Sequence, residues 1–181
     1  MRLEERLLAI HASLDAASVP HAFGGAIALA YWSLEPRGTR DLDLNVFVAP
    51  EEAGRVREAL PDDVVWDPGV DAAIARDGQA RVLWGGTPID LFFSYAPIHE
   101  LAERGVEWVP FKEDVIPVLA PLELAIFKAH FDRTRDWADI EDMLRAGTLT
   151  APALRRGITT ILGGDDERLA RLAAAERAAS G

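Results

Sequence analysis

With 181 residues, 49% of them hydrophobic and 27% charged, the chain suits one globular domain, or a core with a helical appendage. Its formal net charge of −11 denies it the overall positive field that draws in a phosphate backbone, so any nucleic-acid contact must rest on a local arginine patch. The absence of cysteine removes disulfides, thiolate metal sites and cysteine nucleophiles. No apolar run approaches the ~20 residues of a membrane helix. The opening stretch MRLEERLLAIHASL carries acidic residues and no signal-peptide core, so a cytoplasmic protein without membrane contact is expected.

In residues 2–17, Leu3, Leu7, Ile10 and Leu14 recur near the 3.6-residue period, which predicts an amphipathic helix. Val19–Phe23 reads as a short strand, with Pro20 limiting it to a strand start or an edge. Gly24-Gly25 turns that strand into an apolar helix over 26–34. Unpaired N–H groups at such a helix start bind anions, and glycine lets a ligand approach the backbone. Taken alone, the pair reads more simply as a tight turn. A turn over 36–40 then leads into Asp41-Leu42-Asp43 and a run of Leu, Val and Phe. A strand alternates its faces, so Asp41, Asp43, Asn45 and Phe47 share one side, and Leu42, Leu44, Val46 and Val48 the core side. Two strand steps separate the paired carboxylates by roughly 7 Å at Cα, a span from which they can converge on divalent cations. Such an all-oxygen set suits Mg²⁺ or Mn²⁺.

Further along, a helix over 49–60 opens with Pro50 and two acids. Val64–Trp66 is a short strand candidate and 71–76 a helical turn. Residues 79–84 and 87–93 flank Gly85-Gly86 as a hairpin. Within its second strand Asp90 is a lone carboxylate among apolar neighbours, which requires either an ion pair, with Arg81 the nearest candidate, or a place as third metal ligand beside Asp41 and Asp43. A short helix at 98–104 and strands at 106–111 and 115–119 follow. Pro121 then starts a helix that holds Lys128 among Leu124, Phe127 and Phe131 and runs on towards Arg133, Arg135, Asp136 and Asp139. This last charged run is equally readable as a solvated helix face with pairs among Asp132, Arg135, Asp136 and Asp139. Trp137, beside it, is a core residue by default and a candidate to stack on a base. Helices over 152–162 and 165–179 complete the chain. The four histidines show no ligand spacing.

Gly24-Gly25 followed by Arg37-x-Thr39-x-Asp41-x-Asp43 resembles the signature of the DNA polymerase β-type nucleotidyltransferase superfamily. Within it, Lys128-x₄-Arg133-x-Arg135-Asp136-x₂-Asp139 is similar to the third motif of the minimal bacterial nucleotidyltransferases of the AbiEii toxin kind. The small antibiotic nucleotidyltransferases fit less closely. The resemblance spans about residues 20–145 and implies a role for each motif. Gly24 and Gly25, with Arg37, Thr39, Arg40 and Lys128, would hold the triphosphate. Asp41, Asp43 and Asp90 would be the catalytic, metal-binding carboxylates. Arg133, Asp136 and Asp139 would brace the site. Ala26 stands where the family often has a hydroxyl residue, and Arg135 where it commonly has lysine.

The implied fold is α/β (α+β): a small mixed sheet with helices over 1–115 as the catalytic core, and a helical region over 116–181 completing the nucleotide cleft. The implied activity is NTP-dependent nucleotidyl transfer to an acceptor hydroxyl. The acceptor would be RNA, tRNA above all, with an antitoxin protein as partner. The alternatives are a small-molecule antibiotic acceptor and a degenerate nucleotide-binding module.

Overall fold

The computed structural model describes residues 1–35 and 37–180. Pro36, the first residue of the expected turn, and Gly181, the last of the expected helical region, lie outside them. Alternation along Leu42–Val46 (β2) is realised as read: Leu42, Leu44 and Val46 are buried in the core. Their partners on the parallel strand Thr87–Phe93 (β5) are Ile89, Leu91 and Phe93, equally buried. The other face of the same pair sets Asp43 against Asp90 and Asn45 against Phe92. Register fixed by a fully apolar face is hard to slip, because a one-residue shift would bury the carboxylates in place of the leucines.

His21–Phe23 (β1) runs antiparallel to β2 on one side and parallel to Asp114–Leu119 (β7) on the other. It is therefore central, and Pro20 meets its restriction by standing just before the strand. Gln79–Trp84 (β4) and β5 form the expected hairpin, with both Gly85 (φ +54°) and Gly86 (φ +82°) left-handed, as a two-residue hairpin turn of type I′ requires. Val64–Val65 (β3) adds to β4, and Val106–Phe111 (β6) pairs with β7. The seven-stranded mixed sheet has the order β3-β4-β5-β2-β1-β7-β6.

The N-terminal helices are Leu3–Ala16 (α1), Gly25–Trp32 (α2), Ala53–Ala59 (α3), Gly69–Asp77 (α4) and Pro97–Arg104 (α5). The C-terminal ones are Pro121–Phe131 (α6), Thr134–Ala146 (α7), Ala151–Leu162 (α8) and Arg168–Ala179 (α9). The helical region starts at Pro121, not at residue 116, since residue 116 lies inside β7 and pairs with Val109.

The helix expected to carry Lys128 through to Asp139 is two helices. Asp132 adopts a left-handed conformation (φ 59°) and ends α6, its N–H donating to the Lys128 carbonyl. Trp137 Nε1 and Arg171 Nη1 both donate to the Asp132 carboxylate, at 2.7 and 2.6 Å, which holds the break open. The turn redirects α7 so that Asp136 and Asp139 point inward and are buried, in place of the solvated face. Trp137 is buried too, with the Arg171 guanidinium 5.1 Å over its ring. It cannot stack on a base; it is a bracing residue.

Candidate functional site

A cleft of about 770 Å³ opens between the polar face of β2 and β5 and the α6–α7 junction. Its floor is a row of charges across three adjacent strands: Arg81 on β4 faces Asp90 on β5, which faces Asp43 on β2. Asp41 lies two residues before Asp43, at the entry to β2, and also lines the cleft. The Asp43 carboxyl is pushed up to about 6, first by burial and then by repulsion from Asp41 and Asp90; Lys128 and Arg133 offset part of this.

The start of α2 closes over this row. Gly25 has φ +49°, and a Cβ placed there would run into the Asp43 carboxylate. Only glycine fits both the conformation and the space. Gly24 N–H donates to the Asp43 carbonyl at 2.8 Å, which locks the turn to the carboxylate strand. Gly24 is thus not a phosphate donor, contrary to expectation. The first amides of α2 that remain without intrahelical partners by position, at Gly25 and Ala26, both line the cleft.

The expected convergence of Asp41, Asp43 and Asp90 on a metal needs correction in one respect. Among the described residues, no group of three such side chains is gathered closely enough to hold an ion as the side chains stand. Arg81 Nε and Nη2 donate to the two Asp90 oxygens at 2.6 and 2.7 Å, and Thr39 Oγ1 donates to Asp41 Oδ1 at 2.5 Å. Asp90 therefore makes the ion pair that was its alternative reading, while keeping its place beside Asp43. By chemistry the set fits a hard dication: it offers oxygen only, and Asp43, raised first by burial, is raised further by repulsion from Asp41 and Asp90 that a bound cation would relieve.

The opposite wall is a chain of ion pairs. Lys128 Nζ, although buried, is 2.6 Å from Asp139 Oδ2 and 3.8 Å from Asp136 Oδ1. Arg37 Nη2 shares the same Asp139 oxygen at 2.7 Å. Arg133 holds Asp136 through Nε at 2.6 Å and lies 5.2 Å over the Phe131 ring. Arg37 and Lys128, expected to contact phosphate directly, thus each have a carboxylate partner, and both also line the cleft. Arg40 and Arg135 line it without a carboxylate partner among the described residues.

Strand alternation puts Asn45 on the carboxylate face and the helix pattern puts Phe131 near Lys128, but neither they nor Phe92 read as site residues. They line a smaller slot running from Asp43 under α6. Phe92 and Phe131 are 6.0 Å apart at their ring centroids, and Asn45 occupies the row next to Asp43. Asn45 and Phe92 pair with each other one row from Asp43 and Asp90, which only the register shows, and Phe131 reaches the slot from α6.

No protein-family model matches the chain, and neither does any curated protein. Among solved structures, the antibiotic-resistance factor ANT(2'')-Ia is 15% identical with a TM-score of 0.52, over 97% of this chain and 91% of that one. The chain has the nucleotidyltransferase fold. JHP933 from Helicobacter pylori is 17% identical with a TM-score of 0.47, over 98% and 88% of the two chains. An antigenic nucleotidyltransferase-like protein from Paracoccidioides brasiliensis is 16% identical with a TM-score of 0.49, over 93% and 90%. At 15% identity the likeness to ANT(2'')-Ia is one of fold.

Proposed function

We propose that the chain transfers a nucleotidyl group from an NTP to an acceptor hydroxyl, with release of pyrophosphate. The observation that carries this reading is the register that sets Asp43 beside Asp90, with Asp41 on the same face and the α2 amides against the row. Mg²⁺ or Mn²⁺ held by Asp41 and Asp43, with Asp90 completing the set, would neutralise the triphosphate and activate the attacking oxygen. The first amides of α2 bind the terminal phosphates. Lys128, Arg40 and Arg135 offset the negative charge that grows on the leaving pyrophosphate. Asp90 orients the acceptor hydroxyl and accepts its proton as the new phosphodiester forms. The presence of all three carboxylates in one patch supports an enzyme over a degenerate binding module.

For the acceptor, the geometry supports a small hydroxylated molecule over a long RNA. Of the arginines Arg37, Arg40, Arg133 and Arg135 that line the cleft besides Arg81, Arg37 and Arg133 are held by Asp139 and Asp136. The remaining two can neutralise few phosphates, in a chain of net charge −11. Toxin-like action on the 3′ end of tRNA, with an antitoxin partner, is the second reading. It is favoured by the placement of Arg40 and Arg135 at the same cleft.

The test is a transfer assay with labelled NTPs, offered total tRNA and a panel of aminoglycosides and lincosamides at low and moderate salt. Label on a small molecule, lost in Asp41→Asn and Asp43→Asn, supports the first acceptor. Label on tRNA, lost when Arg40 and Arg135 become Ala, supports the second. No transfer to either class, with folded protein and no NTP binding, sinks the enzymatic reading.

A further inference from the structure

The row Arg81–Asp90–Asp43 crosses three neighbouring strands on one face of the sheet. Cross-strand partners have side chains within direct reach, so the middle carboxylate has a cation on one side and a carboxylate on the other. The geometry of the Arg81 contact is the strong form: Nε and Nη2 engage both Asp90 oxygens, at 2.6 and 2.7 Å. Asp90 meanwhile shows only part of its surface, and Arg81 is more than half exposed. The guanidinium can therefore leave into open solvent, or into the second lobe of the cleft that it also lines, without disturbing the core.

A dication and a guanidinium cannot both take the same two oxygens at close range. With Arg81 in place, the pair Arg81–Asp90 is neutral, and only Asp41 and Asp43 present uncompensated charge to a cation. We infer that Arg81 is a positioning residue that holds Asp90 out of the cation site. On this assignment the resting cleft takes one divalent cation at Asp41 and Asp43. A second becomes well bound only when Arg81 gives Asp90 up. Arg81 then faces the second lobe, beside Phe92 and Phe131, as an unpaired cation. The inference rests on the nucleotidyl-transfer reading and specifies how its carboxylates are loaded.

The experiment titrates Mn²⁺ alone into nucleotide-free protein, following free Mn²⁺ by electron paramagnetic resonance. Wild type, Arg81→Gln, Arg81→Lys, Asp43→Asn and the double variant Arg81→Gln/Asp90→Asn are compared, and thermal melting reports the fold of each. The expected result is one site in wild type with a second at least tenfold weaker. In Arg81→Gln the second site tightens about tenfold, in Arg81→Lys it stays close to wild type, and in the double variant it disappears. A structural role for Arg81 would move the melting temperature and leave the Mn²⁺ isotherm alone. Identical isotherms for wild type and Arg81→Gln, with one site still lost in Asp43→Asn, overturn this inference and spare the metal reading. No Mn²⁺ bound by any variant overturns both.

Discussion

The sheet wall of the cleft and its helix wall are both crowded with charge, and they are balanced differently. On the sheet, three carboxylates at positions 41, 43 and 90 face one guanidinium, Arg81, and Asp43 is held well above the ordinary carboxylate range. On the helices, Asp136 and Asp139 are shared among Lys128, Arg37 and Arg133, with every buried charge in contact with an opposite one. A wall that balances itself serves as structure. A wall left with surplus negative charge stores repulsion that a cation relieves. The difference separates motif residues of the same chemical type: Asp139 is neutralised by Lys128 and Arg37, whereas Asp43 lies buried beside Asp41 and Asp90.

The largest effect should come from breaking the balanced wall. Asp139→Ala removes the carboxylate common to Lys128 and Arg37 and leaves the buried Lys128 with Asp136 alone, at 3.8 Å. Stranding a buried charge costs about 3–5 kcal/mol. Urea unfolding should show a loss of that order; a change below about 1 kcal/mol would mean that water already solvates the Lys128 ammonium.

Asp43→Asn tests the unbalanced wall and should act in the opposite sense on stability. Nucleotidyl transfer should fall by about 10²-fold or more, since the group lies where charge must be neutralised. The fold should survive, because Asn keeps the shape and removes repulsion from Asp41 and Asp90. Retained activity would move the catalytic centre away from β2.

The pH dependence sharpens the same contrast. The Asp43 pKa is raised in the folded state, from 3.8 to about 6, so the folded chain holds this proton over a range where the unfolded chain has lost it. Stability from this group is full below about pH 4 and declines as pH rises to about 6, by up to ~3 kcal/mol. In metal-free buffer, Asp43→Asn should therefore gain on wild type as pH rises from 4 to 7, and saturating Mg²⁺ should narrow the gap. A constant difference across that range would show that Asp43 ionises freely.

How far these walls were legible in the sequence follows from how local each signal is. Asp41, Asp43 and the glycine pair were readable because strand alternation and the strand-to-helix turn are short-range. The hairpin around Gly85-Gly86 was readable for the same reason. Asp90 was visible as an anomaly, but whether Arg81 or a metal would claim it depended on side-chain placement that periodicity does not carry. The helix wall was left between a solvated face and a site brace because Asp132, an acid with no glycine beside it, gives no advance sign of a left-handed break. That break is stabilised from α9, by Arg171, thirty-nine residues away. Asn45, Phe92 and Phe131 required the β2–β5 register and the packing of α6, neither of which a single segment encodes.

The smallest expected effect is the most discriminating for the helix wall. Lys128 lies between the two walls: it is paired with Asp139, yet it lines the cleft and lowers the cost of ionising Asp43. Lys128→Met keeps most of the stem volume and removes the charge. Asp139 would still have Arg37 at 2.7 Å, and Asp136 would still have Arg133 at 2.6 Å, so neither carboxylate is left alone. The melting temperature should therefore change little, in contrast with Asp139→Ala. If Lys128 also serves the triphosphate, NTP affinity should drop about tenfold, a loss of ~1.4 kcal/mol. The same change should raise the Asp43 pKa further and steepen the metal-free pH profile. Calorimetric titration of NTP into Lys128→Met and wild type separates the roles. Weaker binding at an unchanged melting temperature places Lys128 in the nucleotide site, whereas unchanged binding at a lowered melting temperature makes it only the buried partner of Asp139.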